Sequence, residues 1–224
     1  NDACIALAEA IAGSEEAFAE MMNQEAKRLG LANTHFVNST GLPHPQHYST
    51  ARDLAALAAA VIRDFPEHYP LYSQKEYRYN NITQFNRNRL LWTDPSVDGM
   101  KTGYTENAGY CLVTSARRGE RRLVSVVLGT ASEAMRAAES QKLLNYGFQA
   151  YDGVRLYTGK VPVATLQVFK GSSNSVKAGF LADLHLALPR GMGDKPKAAV
   201  ERLLRNSSDP EFVQRFKREA IASS

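Results

Sequence analysis

The segment YCLVTSARRGERRLVSVVL, residues 110–128, decides the fold class of this chain of 224 residues. Two apolar runs, 110–116 and 122–128, flank a polar turn that contains Gly119. Apolar runs rich in β-branched residues on either side of a short glycine-containing turn predict a pair of antiparallel strands. Because the runs are almost continuously apolar, we expect two central strands that are covered on both faces.

Helices are predicted on both sides of this hairpin. Thr50 with Asp53 three residues later resembles a capping box that opens one helix, and another helix is predicted after the hairpin. The Asn-, Pro- and Gly-rich segment 33–49 predicts a long irregular loop. Tyr77 and Tyr79 alternate at strand spacing and are expected to pack in a sheet. The sequence therefore predicts an α/β fold of the α+β type, in which helices flank an antiparallel sheet.

Composition and charge exclude several classes of protein. Apolar residues make up 44 % of the chain, as in an ordinary globular protein, and the longest apolar run, 54–62, is too short to span a bilayer. The 27 basic and 23 acidic residues give a net charge of +4, too weak a signal to indicate a nucleic-acid partner. We interpret the arginines of the hairpin turn as a solvated charged tip rather than a nucleic-acid surface; they are Arg117, Arg118, Arg121 and Arg122.

A change of composition along the chain predicts its division into domains. Residues 1–152 are expected to form the first domain. Residues 153–193 are expected to begin a small all-β domain, because segments such as 184–188 alternate between polar and apolar residues. Residues 194–224 are predicted to be an atypical polar, helical tail. Its last helix begins near Asp209 and has an apolar face surrounded by basic residues, which fits either an interfacial membrane anchor or a truncated end.

The strongest chemical signal is VDGMKTGYT, residues 97–105, just ahead of the hairpin. It places Lys101, Thr102 and Gly103 at the start of the strand structure, where an ammonium and a hydroxyl are available and a glycine lets a ligand approach the backbone. Alone, a Lys-Thr-Gly tripeptide is a weak signal, since three residues recur by chance. On a strand edge, however, it is one of the three sequence elements of the active-site-serine penicillin-binding enzymes.

A resemblance to one family extends well beyond this tripeptide. The matching stretches include NDACIALAE (1–9), NTHFVNSTGL (33–42), VDGMKTGYT (97–105), AGYCLVTSA (108–116) and AESQKLLNYGF (138–148). They resemble the low-molecular-weight penicillin-binding proteins, the serine-type, peptidase S11-like D-alanyl-D-alanine carboxypeptidases. The resemblance implies a β-lactamase/transpeptidase-like fold. It also implies removal of the terminal D-alanine from peptidoglycan stem peptides through an acyl-enzyme, with inhibition by β-lactams.

The resemblance assigns roles to individual residues. Asn1 matches the last residue of a Ser-Gly-Asn element and, with Lys101 and Thr102, is expected to be catalytic. Tyr104 stands where the family often has His, and its backbone N–H is expected to complete the oxyanion hole. The residues expected to bind substrate are Lys101, Thr102, Gly103, Tyr104, Arg87 and Arg136, the last by pairing its guanidinium with the terminal carboxylate.

One element of the family is missing from these 224 residues, because no serine is followed three positions later by lysine, as Ser-x-x-Lys requires. The nucleophile is therefore expected upstream of Asn1, and the chain alone is predicted to be inactive. The alternative is a non-catalytic peptidoglycan-binding or scaffolding module of the same fold. A class A β-lactamase is a weaker alternative, because the Glu-x-x-Leu-Asn setting of those enzymes does not occur before Lys101.

Partners and location are also implied by the resemblance. The expected partners are a muropeptide that ends in D-Ala-D-Ala and β-lactam antibiotics, with peripheral membrane contact in the full-length protein. The expected location is the periplasm, at the outer face of the cytoplasmic membrane. No cofactor or metal is expected, because His44 and His47 lack a nearby carboxylate or cysteine ligand. Cys4 and Cys111 are far apart and are expected to be buried as small hydrophobic residues.

Overall fold

The computed structural model describes residues 1–167 and 174–192. It divides into two compact units, the first from Asn1 to Gly147 and the second beginning at Phe148. The first unit combines helices with an antiparallel sheet, and the second contains antiparallel strand pairs. This arrangement confirms the predicted mixture of helices and antiparallel sheet.

The first unit is built from groups of helices and strands. The helices are α1 (Asp2–Ala12), α2 (Glu15–Arg28), α3 (Ala51–Asp64), α4 (Leu90–Thr93) and α5 (Glu133–Ala150), with a short 3-10 helix at Tyr69–Ser73. The strands are β1 (Glu76–Tyr79), β2 (Ile82–Phe85), β3 (Val97–Thr105), β4 (Gly109–Arg118) and β5 (Arg121–Thr130). The predicted hairpin is therefore β4 and β5, and each strand is longer than the sequence indicated.

The main sheet of the first unit contains β3, β4 and β5 in that order, all antiparallel. β4 is the central strand and supplies much of the core, because Leu112, Thr114 and Ala116 are almost inaccessible to solvent. β5 is an edge strand among the described residues, and its Leu128 is 41 % exposed. The expectation of two central strands covered on both faces is therefore correct for β4 and wrong for β5.

The irregular loop 33–49 is tied at its beginning to α3. The Thr50 hydroxyl accepts a hydrogen bond from the backbone of Asp53 and caps α3, as predicted. Asp53 does not complete the expected capping box. Its buried carboxylate instead accepts hydrogen bonds from the Asn33 N–H and the Thr34 hydroxyl, both at 2.8 Å. A long-range contact has therefore replaced the local one.

Two side chains of α2 hold the rest of this loop. The Asn23 side chain donates to the Phe36 carbonyl at 2.7 Å and accepts from the Phe36 N–H at 2.8 Å. It therefore bonds both backbone groups of Phe36, as a neighbouring strand would. Glu15 accepts hydrogen bonds from the hydroxyl and the N–H of Ser39, and these bonds lower the pKa of the Glu15 carboxyl. The loop therefore follows a defined course along one side of the unit.

The hairpin formed by β1 and β2 is exposed along its whole length. Tyr77 and Tyr79 lie on the same face, and their side chains are 61 % and 71 % exposed. They lie in a two-stranded sheet, but the expectation that they pack there is wrong, because both strands are exposed at every position. Period-two alternation predicted the strand correctly but not its burial.

Polar contacts tie the first half of β3 to its surroundings. The Asp98 carboxylate pairs with Arg122 of β5 at 2.7 Å and accepts a hydrogen bond from the Tyr69 hydroxyl at 3.2 Å. Burial raises the pKa of Tyr69 to about 12. Asn88 is 1 % exposed and donates to the Gly99 carbonyl at 2.9 Å, which satisfies a buried acceptor of the strand.

A second polar cluster lies just before β3. Asp94 accepts hydrogen bonds from the backbone and hydroxyl of Ser96, from Gln141 at 2.8 Å and from Arg118 at 3.1 Å. Burial alone would raise the pKa of Asp94, but these hydrogen bonds outweigh it and hold the pKa at about 2. Arg118 and Arg122 therefore each pair with a carboxylate outside the turn. The interpretation of the turn arginines as a solvated tip is wrong for the partly buried Arg122, whereas Arg118 is exposed.

The second unit contains two antiparallel pairs of strands. β6 (Tyr151–Tyr157) pairs with β9 (Leu184–Pro189), and β7 (Pro162–Gln167) pairs with β8 (Ser175–Gly179). The predicted polar tail, 194–224, lies outside the described residues. Within the described ranges, no helix has the length and apolar character needed to cross a membrane.

Candidate active site

One cleft of the first unit collects every residue that the sequence assigned to the site. It has a volume of about 700 Å³ and lies along the second half of β3. Asn1 enters it from the beginning of α1, Arg87 from the segment between β2 and α4, and Arg136 from α5. Four consecutive residues of β3 complete the set, namely Lys101, Thr102, Gly103 and Tyr104.

The β3 strand presents its Lys-Thr-Gly sequence beside β4. Gly103 pairs with Cys111, and a Cβ atom added at Gly103 would lie 3.8 Å from the Cys111 Cβ, an ordinary contact distance. The packing of the protein therefore does not itself require glycine here. A side chain at this position would instead take up space in the cleft, where a ligand approaching the β3 backbone would lie.

The Lys101 ammonium lies among cations. It donates to the Thr102 carbonyl, and no carboxylate in the described part of the chain pairs with it. Loss of water around the ammonium lowers the pKa of Lys101, and repulsion from Arg87 and Arg136 lowers it further. An anionic ligand would relieve this repulsion.

Arg136 is buried in the wall of the cleft, with 3 % of its surface exposed. Its Nη1 atom donates to the Gly103 carbonyl at 3.2 Å. Its Nη2 atom donates to the Arg87 carbonyl at 3.5 Å and to the Glu133 carboxylate at 3.2 Å. The guanidinium also lies over the Tyr110 ring, 5.5 Å from its centre. Because a guanidinium has five N–H donors, these contacts leave donors for a ligand carboxylate.

Arg87 and Asn1 lie at the open margins of the cleft. The exposed Arg87 side chain makes no hydrogen bond or ion pair within the described ranges, so its guanidinium is available to a ligand. Asn1 is also exposed, and its carbonyl accepts a hydrogen bond from the Cys4 N–H at the start of α1.

Cys4 is exposed and Cys111 is half-buried, so the expectation that both are buried is wrong.

Tyr104 gives the rim of the cleft an aromatic surface. It is the cross-strand partner of Tyr110, and the two ring centres are 4.2 Å apart with an angle of 32° between the rings. Tyr104 is 56 % exposed, whereas Tyr110 lies between Tyr104 and the Arg136 guanidinium. The side chain is therefore held by a stacking partner while one part of it faces solvent.

Sequence reasoning missed one wall of the cleft. The loop 33–49 contributes Phe36, Leu42, His47 and Tyr48 to the lining. The position of these side chains depends on the bonds from α2 and α3 to the loop, which join residues far apart in sequence. The match of the stretch 33–42 to the family was the only signal that pointed to this segment.

The histidines of this loop are engaged by the backbone. His47 Nδ1 accepts a hydrogen bond from the Val37 N–H at 3.2 Å, and His44 Nδ1 accepts one from the Gln46 N–H at 3.1 Å. Among the residues described, no group of three His, Cys, Asp or Glu side chains is arranged to hold a metal ion.

Comparison with known proteins gives the chain a family. The model of the peptidase S11 family, D-alanyl-D-alanine carboxypeptidase, matches residues 1–132. The D-alanyl-D-alanine carboxypeptidase DacC of Escherichia coli is 46 % identical over 200 residues, which cover 89 % of this chain and 50 % of the relative. DacA of Haemophilus influenzae is 43 % identical over 212 residues, which cover 94 % of this chain and 54 % of the relative. The chain thus spans about half the length of these relatives.

Solved structures agree with the sequence relatives. Penicillin binding protein 5 from Haemophilus influenzae has a TM-score of 0.81 and 43 % identity, covering 87 % of this chain and 57 % of that one. Penicillin-binding protein D2 from Listeria monocytogenes, in its cefotaxime-bound form, has a TM-score of 0.62 and 34 % identity, covering 66 % and 61 %. The family match includes α1, the loop 33–49 and the Lys-Thr-Gly strand that line the cleft. This chain therefore belongs to the peptidase S11 family of D-alanyl-D-alanine carboxypeptidases.

Proposed function

We propose that this chain supplies the substrate-binding cleft of a serine-type carboxypeptidase that removes the terminal D-alanine from peptidoglycan stem peptides. The observation that carries the proposal is an excess of positive charge in the cleft. Arg87, Lys101 and Arg136 line it together with a single acidic residue, Glu133. The terminal carboxylate of a D-Ala-D-Ala peptide complements this excess.

The residues of the cleft divide the work of binding such a peptide. Lys101 and Thr102 donate hydrogen bonds to the terminal carboxylate, and Arg136 adds its remaining donors from the wall. The Tyr104 N–H donates to the carbonyl oxygen of the scissile bond, where negative charge develops in the transition state. The Asn1 side chain contacts the peptide from the opposite margin.

The reaction itself is acyl transfer. A serine oxygen attacks the carbonyl between the two D-alanines, the C–N bond breaks, and the leaving D-alanine amine takes a proton. Water then hydrolyses the resulting ester. In the empty cleft the pKa of Lys101 is lowered, and the terminal carboxylate of the peptide offsets the repulsion that contributes to this shift, so Lys101 holds the carboxylate as an ammonium. The 224 residues contain no Ser-x-x-Lys, so we propose that this chain alone binds the peptide without being acylated.

The test combines a binding and a labelling measurement on the same chain. Titration with N-acetyl-L-lysyl-D-alanyl-D-alanine should shift the amide NMR signals of residues 101–104. Incubation with a fluorescent penicillin should leave no covalent label on the denatured chain. Absence of the shifts contradicts the proposed cleft. A covalent label contradicts the inactivity of the chain and shows that one of its own side chains is acylated.

β-Lactams are proposed to occupy the same cleft, because they carry a carboxylate and an acyl group in the arrangement of the substrate. The related protein from Listeria monocytogenes is known in cefotaxime-bound and ampicillin-bound forms. We also propose a location in the periplasm, at the outer face of the cytoplasmic membrane, because peptidoglycan is processed there. Membrane contact remains a proposal for the tail 194–224, which lies outside the described residues.

A non-catalytic peptidoglycan-binding or scaffolding module is the second candidate. The cations and the hydroxyl beside β3 would bind the peptide in such a module as well. Both candidates use the same cleft, so peptide binding does not separate them. Penicillin labelling of the natural protein in cell envelopes does, because only the carboxypeptidase acquires a covalent label. For either candidate, we propose that residues 1–152 form the part of the catalytic-type domain that holds the cleft and that residues 153–193 begin a separate β domain.

A further inference from the structure

A second hollow adjoins the cleft and has no part in the reaction proposed above. We call it the side groove. It has a volume of about 440 Å³, and its lining includes Phe85, Asn86, Arg87, Arg89, Trp92 and Glu133. Two of these residues, Arg87 and Glu133, also line the cleft. The two hollows therefore meet at these two side chains.

Arg136 connects the cleft with the side groove. Its Nη1 donates to the Gly103 carbonyl in the cleft, and its Nη2 contacts one carboxylate oxygen of Glu133 at 3.2 Å. The other oxygen of Glu133 lies 3.8 Å from the guanidinium of Arg89, in the side groove. Since Arg136 is proposed to hold the terminal carboxylate, the side groove begins where a substrate with a free C-terminus ends.

The lining of the side groove combines apolar surface with positive charge. Phe85 is 67 % exposed and Trp92 is 45 % exposed, although large aromatic side chains are normally covered. The Arg89 side chain is 72 % exposed, and Arg87 makes no ion pair within the described part of the chain. Such a lining is suited to a ligand that has both aliphatic segments and carboxylates.

We propose that the side groove binds the part of a cross-linked substrate that lies beyond the scissile bond. In a cross-link between two peptidoglycan stem peptides, the leaving residue belongs to the second peptide, and it is this peptide that occupies the groove. This inference rests on the proposed function, because the substrate's direction in the cleft defines the leaving side. A terminal D-alanine ends at Arg136 and leaves the groove empty. In a cross-link, the leaving residue continues into a second peptide, whose aliphatic side chain faces Phe85 and Trp92 and whose carboxylates face Arg87 and Arg89.

Trp92 provides a direct reporter, because it is the only tryptophan of the chain. The probes are N-acetyl-L-lysyl-D-alanyl-D-alanine as monomer and a dimer in which a D-alanine carbonyl is joined to the side-chain amine of a second stem peptide. We expect the dimer to bind about tenfold more tightly than the monomer and to shift the Trp92 emission. The monomer should shift the NMR signals of the cleft and leave the Trp92 emission unchanged.

Two variants test whether the dimer binds in the side groove or simply to any exposed aromatic side chain. Phe85→Ala removes one wall of the groove, and the advantage of the dimer should fall to less than about threefold. Tyr77→Ala is the matched control, because Tyr77 is 61 % exposed on the same hairpin and does not line the groove. It should retain the full advantage of the dimer, and monomer binding should be the same in both variants.

The outcomes distinguish the two proposals. If the monomer does not bind in the cleft, the proposed function is rejected and the inference loses its basis. If the monomer binds and the dimer binds no better, or if Phe85→Ala keeps the full advantage, the inference alone is rejected. A peptide-free disaccharide of N-acetylglucosamine and N-acetylmuramic acid is the third probe, and it tests whether the groove binds glycan. A shift of Trp92 emission by this disaccharide at equal concentration would assign the groove to glycan and overturn the inference.

Discussion

The two halves of β3 differ in whether their charged side chains have a partner of opposite charge. In the first half, Asp98 is paired with Arg122 at 2.7 Å, and the pair is partly buried between β3 and β5. In the second half, Lys101 has no carboxylate partner in the described ranges, and the nearby Arg87 is also unpaired. One strand therefore begins in a neutralised cluster and continues into a cleft with excess positive charge.

This difference separates residues that stabilise the fold from residues that we propose bind a ligand. Asp98 and Asn88 stabilise the position of the strand, because each of these polar side chains has a hydrogen-bond partner. Unpaired cations repel one another and gain from a bound anion. Repulsion from Arg87 and Arg136 contributes to the lowered pKa of Lys101, as expected for a cation without a partner.

The largest effect is expected from removing a buried partner of the first half. Asn88→Ala leaves the Gly99 carbonyl and the Leu90 N–H without the hydrogen bonds that Asn88 provides. We expect the free energy of unfolding in denaturant to fall by about 3 kcal/mol. Thr83→Ala on the exposed β2 strand is the control and should change it by less than about 0.5 kcal/mol. An equally small change for Asn88→Ala would show that the first half of β3 is not held in this way.

Acid should weaken the cluster at the start of β3. The pKa of Asp94 lies at about 2 in the folded chain, below its ordinary value of 3.8, so its ionised form contributes stability at neutral pH. This contribution, about 2 kcal/mol, is lost as the pH falls through this range. The difference in unfolding free energy between the unmodified chain and Asp94→Asn should therefore shrink by that amount between about pH 6 and about pH 2. A difference that is constant with pH would contradict the role of the carboxylate.

In the second half, substitution should affect the ligand and not the fold. Lys101→Ala should weaken binding of N-acetyl-L-lysyl-D-alanyl-D-alanine by about tenfold, equivalent to about 1.4 kcal/mol, and leave the unfolding free energy nearly unchanged. Calorimetric titration and denaturant unfolding measure the two quantities. Lys142→Ala is the matched control, because Lys142 pairs with Glu139 on the surface of α5 and does not line the cleft. A large loss of stability in Lys101→Ala would remove the contrast between the two halves.

A smaller effect of opposite sign is expected at Glu133. Its carboxylate accepts from Arg136 and competes with the ligand for that guanidinium. Glu133→Gln should therefore tighten binding of the same peptide by about threefold. Glu139→Gln, on the surface of α5 and outside the cleft, is the control and should bind as the unmodified chain does. Weaker binding by Glu133→Gln would mean that Glu133 holds Arg136 in its productive position.

Local patterns in the sequence predicted the elements of the fold well. The glycine-containing turn at Gly119 identified β4 and β5, and the hydroxyl of Thr50 caps α3 as expected. What the patterns did not give were the long-range partners. Asp53 bonds to the loop instead of its own helix, and Arg118 and Arg122 pair with carboxylates near β3. These outcomes depend on which segments meet in three dimensions.

The candidate site was predictable to the extent that a family resemblance placed its residues. Lys101 and Arg136 line one cleft in the structure, although they are separated by a whole hairpin in sequence. The burial of Arg136 and its contact with Glu133 could not be foreseen, because they depend on how α5 packs against β3. The side groove was also missed, since its aromatic lining comes from residues that look like ordinary core.

We propose that the unpaired cations beside β3 bind the terminal carboxylate of a D-Ala-D-Ala peptide. The most direct test of this claim compares the dissociation constants of N-acetyl-L-lysyl-D-alanyl-D-alanine and the same peptide with a C-terminal amide, measured by calorimetry on the intact chain. The amide keeps the shape but lacks the charge, and an NH2 donor replaces one acceptor oxygen. We predict that the carboxylate form binds at least about tenfold more tightly and that the difference narrows as salt is added. Equal affinity of the two peptides would contradict the claim.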